Sequence, residues 1–500
     1  MDQAASAATT VEEANESCRS AQREVITPSA WGGRKAPGSV TFDLLQLACV
    51  LHGEVASSEW QELASGMGHV TDRERRRSRA AVAFLGVAVL STLVYASHSH
   101  HDGFDFITSV WAPARALLRG SNPYDPANLV YRRRYGVPQP AALYFPTALL
   151  LHAPLVALGR AAAADVMAVL DAALIWGGVL TLVRPRSPRA LVATGTLGGL
   201  LLLTATTQDA VSVGQVAPWA FLGLGLLSSA PRATRGRAWF VVGLVVISLK
   251  PQSALPVLVA AALLGYRRQV LHALAVLVAS SVPGLVLLAR AAGGMGAAGH
   301  AVRANLRFFS HLNQDDLSNP RNNRIDVFAV VSRLHGPTLT SLGWGLLVLA
   351  VLAAAAFIGT RRLSSWRMSL PGPLTNPHIL ALVSLYIAVC LYHQPYDQLM
   401  FFCGPLALVG VILSRPGWRP EDAIALIGGS ALMIFELAFR ASFRARMVSH
   451  GFAEATVRSA YFITPTLLAL ATVALVGVLG LRRIAIAEEA SRAVAPTAGQ

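Results

Sequence analysis

Asp72-Arg-Glu-Arg-Arg-Arg-Ser-Arg79 runs directly into AAVAFLGVAVLSTLVYAS at 80–97, and this junction decides the fold. Residues 80–97 carry no charge. As a helix they rise about 27 Å, close to the roughly 30 Å of hydrocarbon in a bilayer. Arg73, Arg75, Arg76, Arg77 and Arg79 stand immediately before them. Basic residues collect on the cytoplasmic side of membrane spans, so the N-terminus is expected inside and the segment from His98 to about Ala142 outside.

The rest of the chain fits that start. Of 500 residues, 54% are hydrophobic and 14% charged, against roughly 25% charged in soluble domains. Mean hydropathy is +0.49. A chain this poor in charge cannot cover its own surface with polar groups, which points to a polytopic, all-α membrane protein. Lys plus Arg number 42 against 27 Asp plus Glu, a net +15. In a soluble protein that excess would suggest nucleic acid. Here it follows the loops, and no nucleic-acid partner is expected. The cysteines Cys18, Cys49, Cys390 and Cys403 show no C-x-x-C spacing, so neither a metal site nor a disulfide framework is read, and no cofactor is called for.

Residues 1–79 are polar and are expected to form a largely disordered cytoplasmic segment. Val40–His52 is apolar but too short to span. Asp2, Glu12 and Glu13 are the wrong charges for a signal peptide. After 80–97, apolar segments recur at 144–159, 162–183, 189–207, 210–229, 238–250, 252–266, 269–290, 338–359, 377–393, 397–414, 421–440 and 461–481. The basic loops at Arg184/Arg186/Arg189, Arg232/Arg235/Arg237, Arg267/Arg268, Arg361/Arg362, Arg415/Arg419 and Arg482/Arg483 should all lie inside. Parity works if 144–159, which holds Pro146, His152 and Pro154, does not cross but lies as a re-entrant or interfacial helix. The expectation is about 12 spans within 80–483, both termini cytoplasmic, and a cytoplasmic tail at 484–500.

The first outer loop holds the densest chemistry: His98-Ser-His-His-Asp102-Gly-Phe-Asp105-Phe, then Trp111, Arg115, Arg119, Gly120 and Pro123-Tyr124-Asp125. Residues 107, 110, 114, 117 and 118 are apolar at helical spacing. They predict an amphipathic helix over 106–119 lying on the membrane surface. Asp102 and Asp105 have an ordinary reading as solvated loop acids. His98, His100 and His101 form a short tract without a second ligand cluster, and read as solvated loop histidines.

The pattern D-F-x-x-x-x-W-x-x-A-R-A-L-L-x-G-x-x-P-Y-D from Asp105, followed by Tyr144-Phe145-Pro146, resembles glycosyltransferase family 87 of the GT-C superfamily. Gly214-Gln215-Val216, Leu249-Lys250-Pro251-Gln252 and His393-Gln-Pro-Tyr396-Asp397 are similar to further short motifs of that family. The resemblance covers about residues 80–483. It implies a GT-C-like helix bundle in the plasma membrane with its catalytic loop on the extracytoplasmic face. It implies a polyprenyl-phosphate sugar as donor, with mannose or arabinofuranose transferred to a glycan or glycolipid and the anomeric centre inverted.

Phosphate leaves without a protonating acid, while the acceptor hydroxyl needs a base in line with the anomeric carbon. A carboxylate plus cations for the leaving phosphate is a sufficient set. Asp105 occupies the motif position for that base, and Asp102 is the second candidate. Lys250 is the only lysine after Lys35. In a break between apolar segments it is a candidate phosphate contact, or else it snorkels to the interface. Arg115 and Arg119 are four apart on one helix face and suit a phosphate or an interfacial anchor. Tyr124, Tyr144, Gln215, Gln252, His393, Tyr396 and Asp397 offer hydrogen bonds or a stacking face to the substrates. Gln215 is expected to follow an outer turn at Thr206–Asp209. Asp171 and Glu436 lie within apolar segments and support a rival reading, a carrier or flippase for polyprenyl-linked sugars.

Overall fold

The basic run does not precede the first helix but belongs to it. In a computed structural model of the chain, α1 spans Asp72–His98. The structure describes residues 72–98, 104–125, 142, 144–185, 187–229, 236–310, 374, 377–390, 395–414, 420–438, 446–451 and a few isolated positions beyond. Asp102 and His393 lie outside the described residues. So do the expected span 338–359, nearly all of 461–481, and the segments 1–71 and 484–500.

All regular structure among the described residues is helical. Among the described residues, three helices are long and apolar enough to cross a membrane: Arg76–His98, Arg160–Val183 and Arg267–Ala292. The expected spans 189–207 and 210–229 are instead three pieces: α7 (Pro188–Leu202), α8 (Ala205–Val213) and α9 (Ala217–Ser229). The axis bends by 66° between α7 and α8. Thr204 causes the first break. It N-caps α8, its hydroxyl accepting from Thr207 N–H at 3.3 Å. Gly214 makes the second break, at φ 69. Thr206–Asp209, read from sequence as an outer turn, is therefore the first turn of α8. The expected segments 238–250 and 252–266 correspond to α10 (Gly236–Ile247) and α11 (Pro251–Leu263), and the break expected at Lys250 falls at Ser248-Leu249-Lys250. A 13-residue piece rises only about 20 Å, short of the roughly 30 Å of hydrocarbon in a bilayer.

The segment 144–159 forms two short helices, α4 (Pro146–Leu151) and α5 (Ala153–Val156), divided at His152. Together they are far too short to cross a bilayer. The loop helix is a correction. Phe104–Phe106 is one helical turn (α2), Ile107–Trp111 is π-helical and Ala112–Leu118 is α3. Residues 106–114 are buried on every side, so the segment is enclosed by protein and does not lie one-faced on a surface. Trp111 Nε1 donates to Leu155 O at 3.2 Å, fastening it to α5. Met295–Ser310 is helical (α13).

α6 (Arg160–Val183) is the central helix. Gly178 faces the Phe221 ring and Gly225 faces Thr181, leaving no room for a Cβ between α6 and α9. Small residues let membrane helices approach this closely. Outward, Val87 and Leu90 of α1, and Leu271 and Val278 of α12 (Arg267–Ala292), are exposed. Apolar faces of this extent suit hydrocarbon better than water.

Candidate functional site: a polar cluster where helices break

The breaks are where the buried polar groups gather. At the end of α8, Gly214 is required twice. Its φ is left-handed, and a Cβ there would lie 2.5 Å from Phe106 Cβ. Gln215 N–H then bonds back to Ala210 O at 3.0 Å. That places the side chain against Asp105, and Gln215 Nε2 donates to Asp105 Oδ2. Tyr144 donates its hydroxyl to Gln215 Oε1 at 3.3 Å. Tyr124 donates to the Tyr144 carbonyl at 2.5 Å. Asn122 accepts from Tyr124 N–H at 3.0 Å and holds that turn.

The polarity of this chain is self-consistent. An ionised carboxylate only accepts, so Gln215 must turn its amide NH2 to Asp105 and its oxygen to Tyr144. Tyr144 must then donate. Burial, and after it the carboxylates of Asp105, Asp397 and Asp171, hold the Tyr144 hydroxyl well above the usual phenol range. The phenol is therefore a neutral donor at any physiological pH. Burial alone pushes Tyr124 up as well. Asp105 itself is half-buried.

A second polar pair lies inside the protein. Lys250 caps the start of α11, and its Nζ pairs with Asp397 Oδ1. Asp397 sits on a 3-10 helix, Pro395–Phe402. Their side chains are 2% and 1% exposed, so Lys250 does not snorkel outward. Lys250 meets a phosphate, if at all, as a member of an ion pair and not as a lone ammonium. A third group sits at the other end of α8. Thr206, Gln398 and Glu436 are all buried, and Glu436 Oε2 accepts from both Thr206 N–H and its hydroxyl.

The remaining candidates are placed as follows. Arg115 lies over the Trp111 ring, 5.0 Å from its centroid, and Arg119 is exposed at the end of α3. Gln252 and Tyr396 are in described helices, but their side chains are outside the described set. Asp171 is fully buried on α6, with neither oxygen hydrogen-bonded among the described residues. No group of three or more His, Cys, Asp or Glu suited to a metal occurs among the described residues.

Sequence reasoning assigned no site role to Thr206 or Gln398. The signal was present in the polar run Thr206-Thr207-Gln208-Asp209, which belongs to a buried helix end. It also passed over the π-helical stretch at 107–111, directly after Asp105. Such π-turns interrupt the regular ladder and recur at functional sites.

As chemistry, the cluster supplies a positioned carboxylate, neutral donors beside it, and a buried ion pair nearby. That suits proton abstraction from a hydroxyl. The chain matches no protein-family model, no curated protein and no solved structure.

Proposed function

We propose that this chain is an integral-membrane glycosyltransferase. It moves a sugar, mannose or arabinofuranose first among candidates, from a polyprenyl-phosphate donor to a glycan or glycolipid on the extracytoplasmic side. The acceptor oxygen attacks the anomeric carbon as the bond to phosphate breaks. Polyprenyl phosphate leaves with the electron pair, Asp105 takes the acceptor proton, and the anomeric centre inverts. About 12 spans in a GT-C-like arrangement would carry the site, with both termini in the cytoplasm. The half-buried, amide-held Asp105 suits the base, and Arg115 and Arg119 of the same loop are the cations for the departing phosphate.

One observation carries this reading. Residues 105, 144 and 215 come from separate segments that the sequence motifs single out, and they meet through hydrogen bonds. The Lys250–Asp397 pair joins two further motif segments, and Asp397 acts on the same Tyr144 phenol. The test is transfer by the purified chain in detergent, given a panel of polyprenyl-phosphate sugars and a membrane glycolipid acceptor. Product without any sealed compartment supports a transferase.

The rival is a carrier for the same lipid-linked sugars. Asp171 favours it, because an unpartnered carboxyl inside a spanning helix is a familiar part of transport pathways. Glu436 favours it less, since its carboxylate is engaged by Thr206. A carrier yields nothing in detergent and moves the lipid only between two faces of a sealed vesicle.

A further inference from the structure

The Thr206 group lies between the two halves of the site. Thr206 is the second residue of α8, and its N–H has no partner within the helix. Glu436, on α16 (Pro420–Ala438), supplies one. Its Oε2 accepts from Thr206 N–H at 3.1 Å and from the hydroxyl at 2.7 Å. Thr204 meanwhile takes the Thr207 N–H. A carboxylate at this end of α8 also meets the positive pole of the helix dipole.

Gln398 completes the arrangement. The Thr206 hydroxyl has one proton, and the shorter contact assigns it to Glu436. Gln398 Oε1, 3.3 Å away, would then face a lone pair, while Gln398 Nε2 is buried with no partner among the described residues. Turning the amide over answers both, because Nε2 then donates to Thr206 Oγ1. The result is a one-way chain, Gln398 to Thr206 to Glu436. Gln398 directly follows Asp397, and α8 ends at Gly214-Gln215. The chain therefore ties the Lys250–Asp397 pair to the entry of the helix that delivers Gln215 to Asp105.

We propose that Glu436 is a positioning residue that fixes both halves of the site through Thr206. Its carboxylate acts as a hydrogen-bond acceptor and does not carry protons or cargo. The link to turnover rests on the glycosyltransferase reading, whereas the link to α8 does not.

The test uses the purified full-length chain with E436A, E436Q and T206V, read by backbone hydrogen exchange over 205–216 and by transfer kinetics. E436A should speed exchange at 205–208 about tenfold or more and lower kcat about tenfold, with donor KM shifting far less. E436Q keeps an acceptor oxygen and should restore most of both. T206V keeps the backbone bond but loses the hydroxyl, and should fall between wild type and E436A. It serves as the readout if E436A does not fold. Unchanged exchange in both E436A and T206V overturns the proposal. An E436Q protein as impaired as E436A also overturns it, because charge would then be what matters. If no donor supports transfer by the wild type, the exchange result still decides the role of Glu436, and only the glycosyltransferase reading falls.

Discussion

Asp105 and Lys250 are both charges that an apolar chain can ill accommodate, and the protein treats them differently. Asp105 is half-buried and accepts from the Gln215 amide, while Lys250 is enclosed and ion-paired. The pair makes a definite prediction. Removing one partner of a buried ion pair costs about 3–5 kcal/mol, because the other charge is left uncompensated. Lys250→Met and Asp397→Leu should each lower the thermal stability of the detergent-solubilised protein by that order. The double variant should recover most of the loss. Equal destabilisation by the single and double variants would show that the pair does not act as a unit. Gln215→Leu removes the donor to Asp105 and the acceptor for Tyr144 together. It should cut turnover about tenfold or more while leaving the fold intact by hydrogen exchange.

At the scale of elements, the breaks matter more than the helices. Hydropathy windows average over Thr204 and Gly214, because apolar residues surround each one, whereas the charge of Lys250 beside Pro251 marks its break. The sequence therefore announced the break at Lys250 and misjudged the bends at Thr204 and Gly214. The motif residues were legible for a related reason: they are polar or small residues that the apolar pattern does not require. Thr206 and Gln398 were not legible, since their meaning depends on contacts of Thr206 with Gln398 and Glu436, 192 and 230 residues further along the chain. The loop helix misled for a different reason. Its apolar stripe was real, but Thr108 and Ser109 on its polar side are also enclosed by protein. Gly214→Ala tests the break at α8. A left-handed non-glycine residue costs about 1–2 kcal/mol, and crowding against Phe106 adds about 1–3 kcal/mol. The variant should melt earlier by an amount in that range and lose activity as Phe106 carries Asp105 away from Gln215. A neutral Gly214→Ala would mean that this close approach is not needed.

Among the described residues of the whole molecule, three long apolar helices and several half-length ones accompany a cluster of buried polar groups. Irregular backbone at membrane depth is tolerated only where protein or water satisfies it. Here, for example, the Thr92 hydroxyl reaches Leu202 O at 2.8 Å, at the end of α7. The topology can be checked at the start of α6 and the first turn of α7 in a chain whose native cysteines have been replaced. Arg160→Cys should react with a membrane-impermeant maleimide on intact cells, and Arg189→Cys only after permeabilisation. The opposite pattern would put Asp105 on the cytoplasmic face and contradict the assigned donor side.

The central claim is that Asp105 is the base of a sugar transfer. The most direct measurement compares wild type with Asp105→Asn for transfer from polyprenyl-phosphate sugars in detergent. The asparagine keeps the shape and a hydrogen bond to Gln215 but cannot take a proton. A general base contributes typically 10²–10⁴-fold, so the account predicts a loss of about a hundredfold or more in kcat, with unchanged folding and donor binding. Near-full transfer by a normally folded Asp105→Asn protein would contradict it.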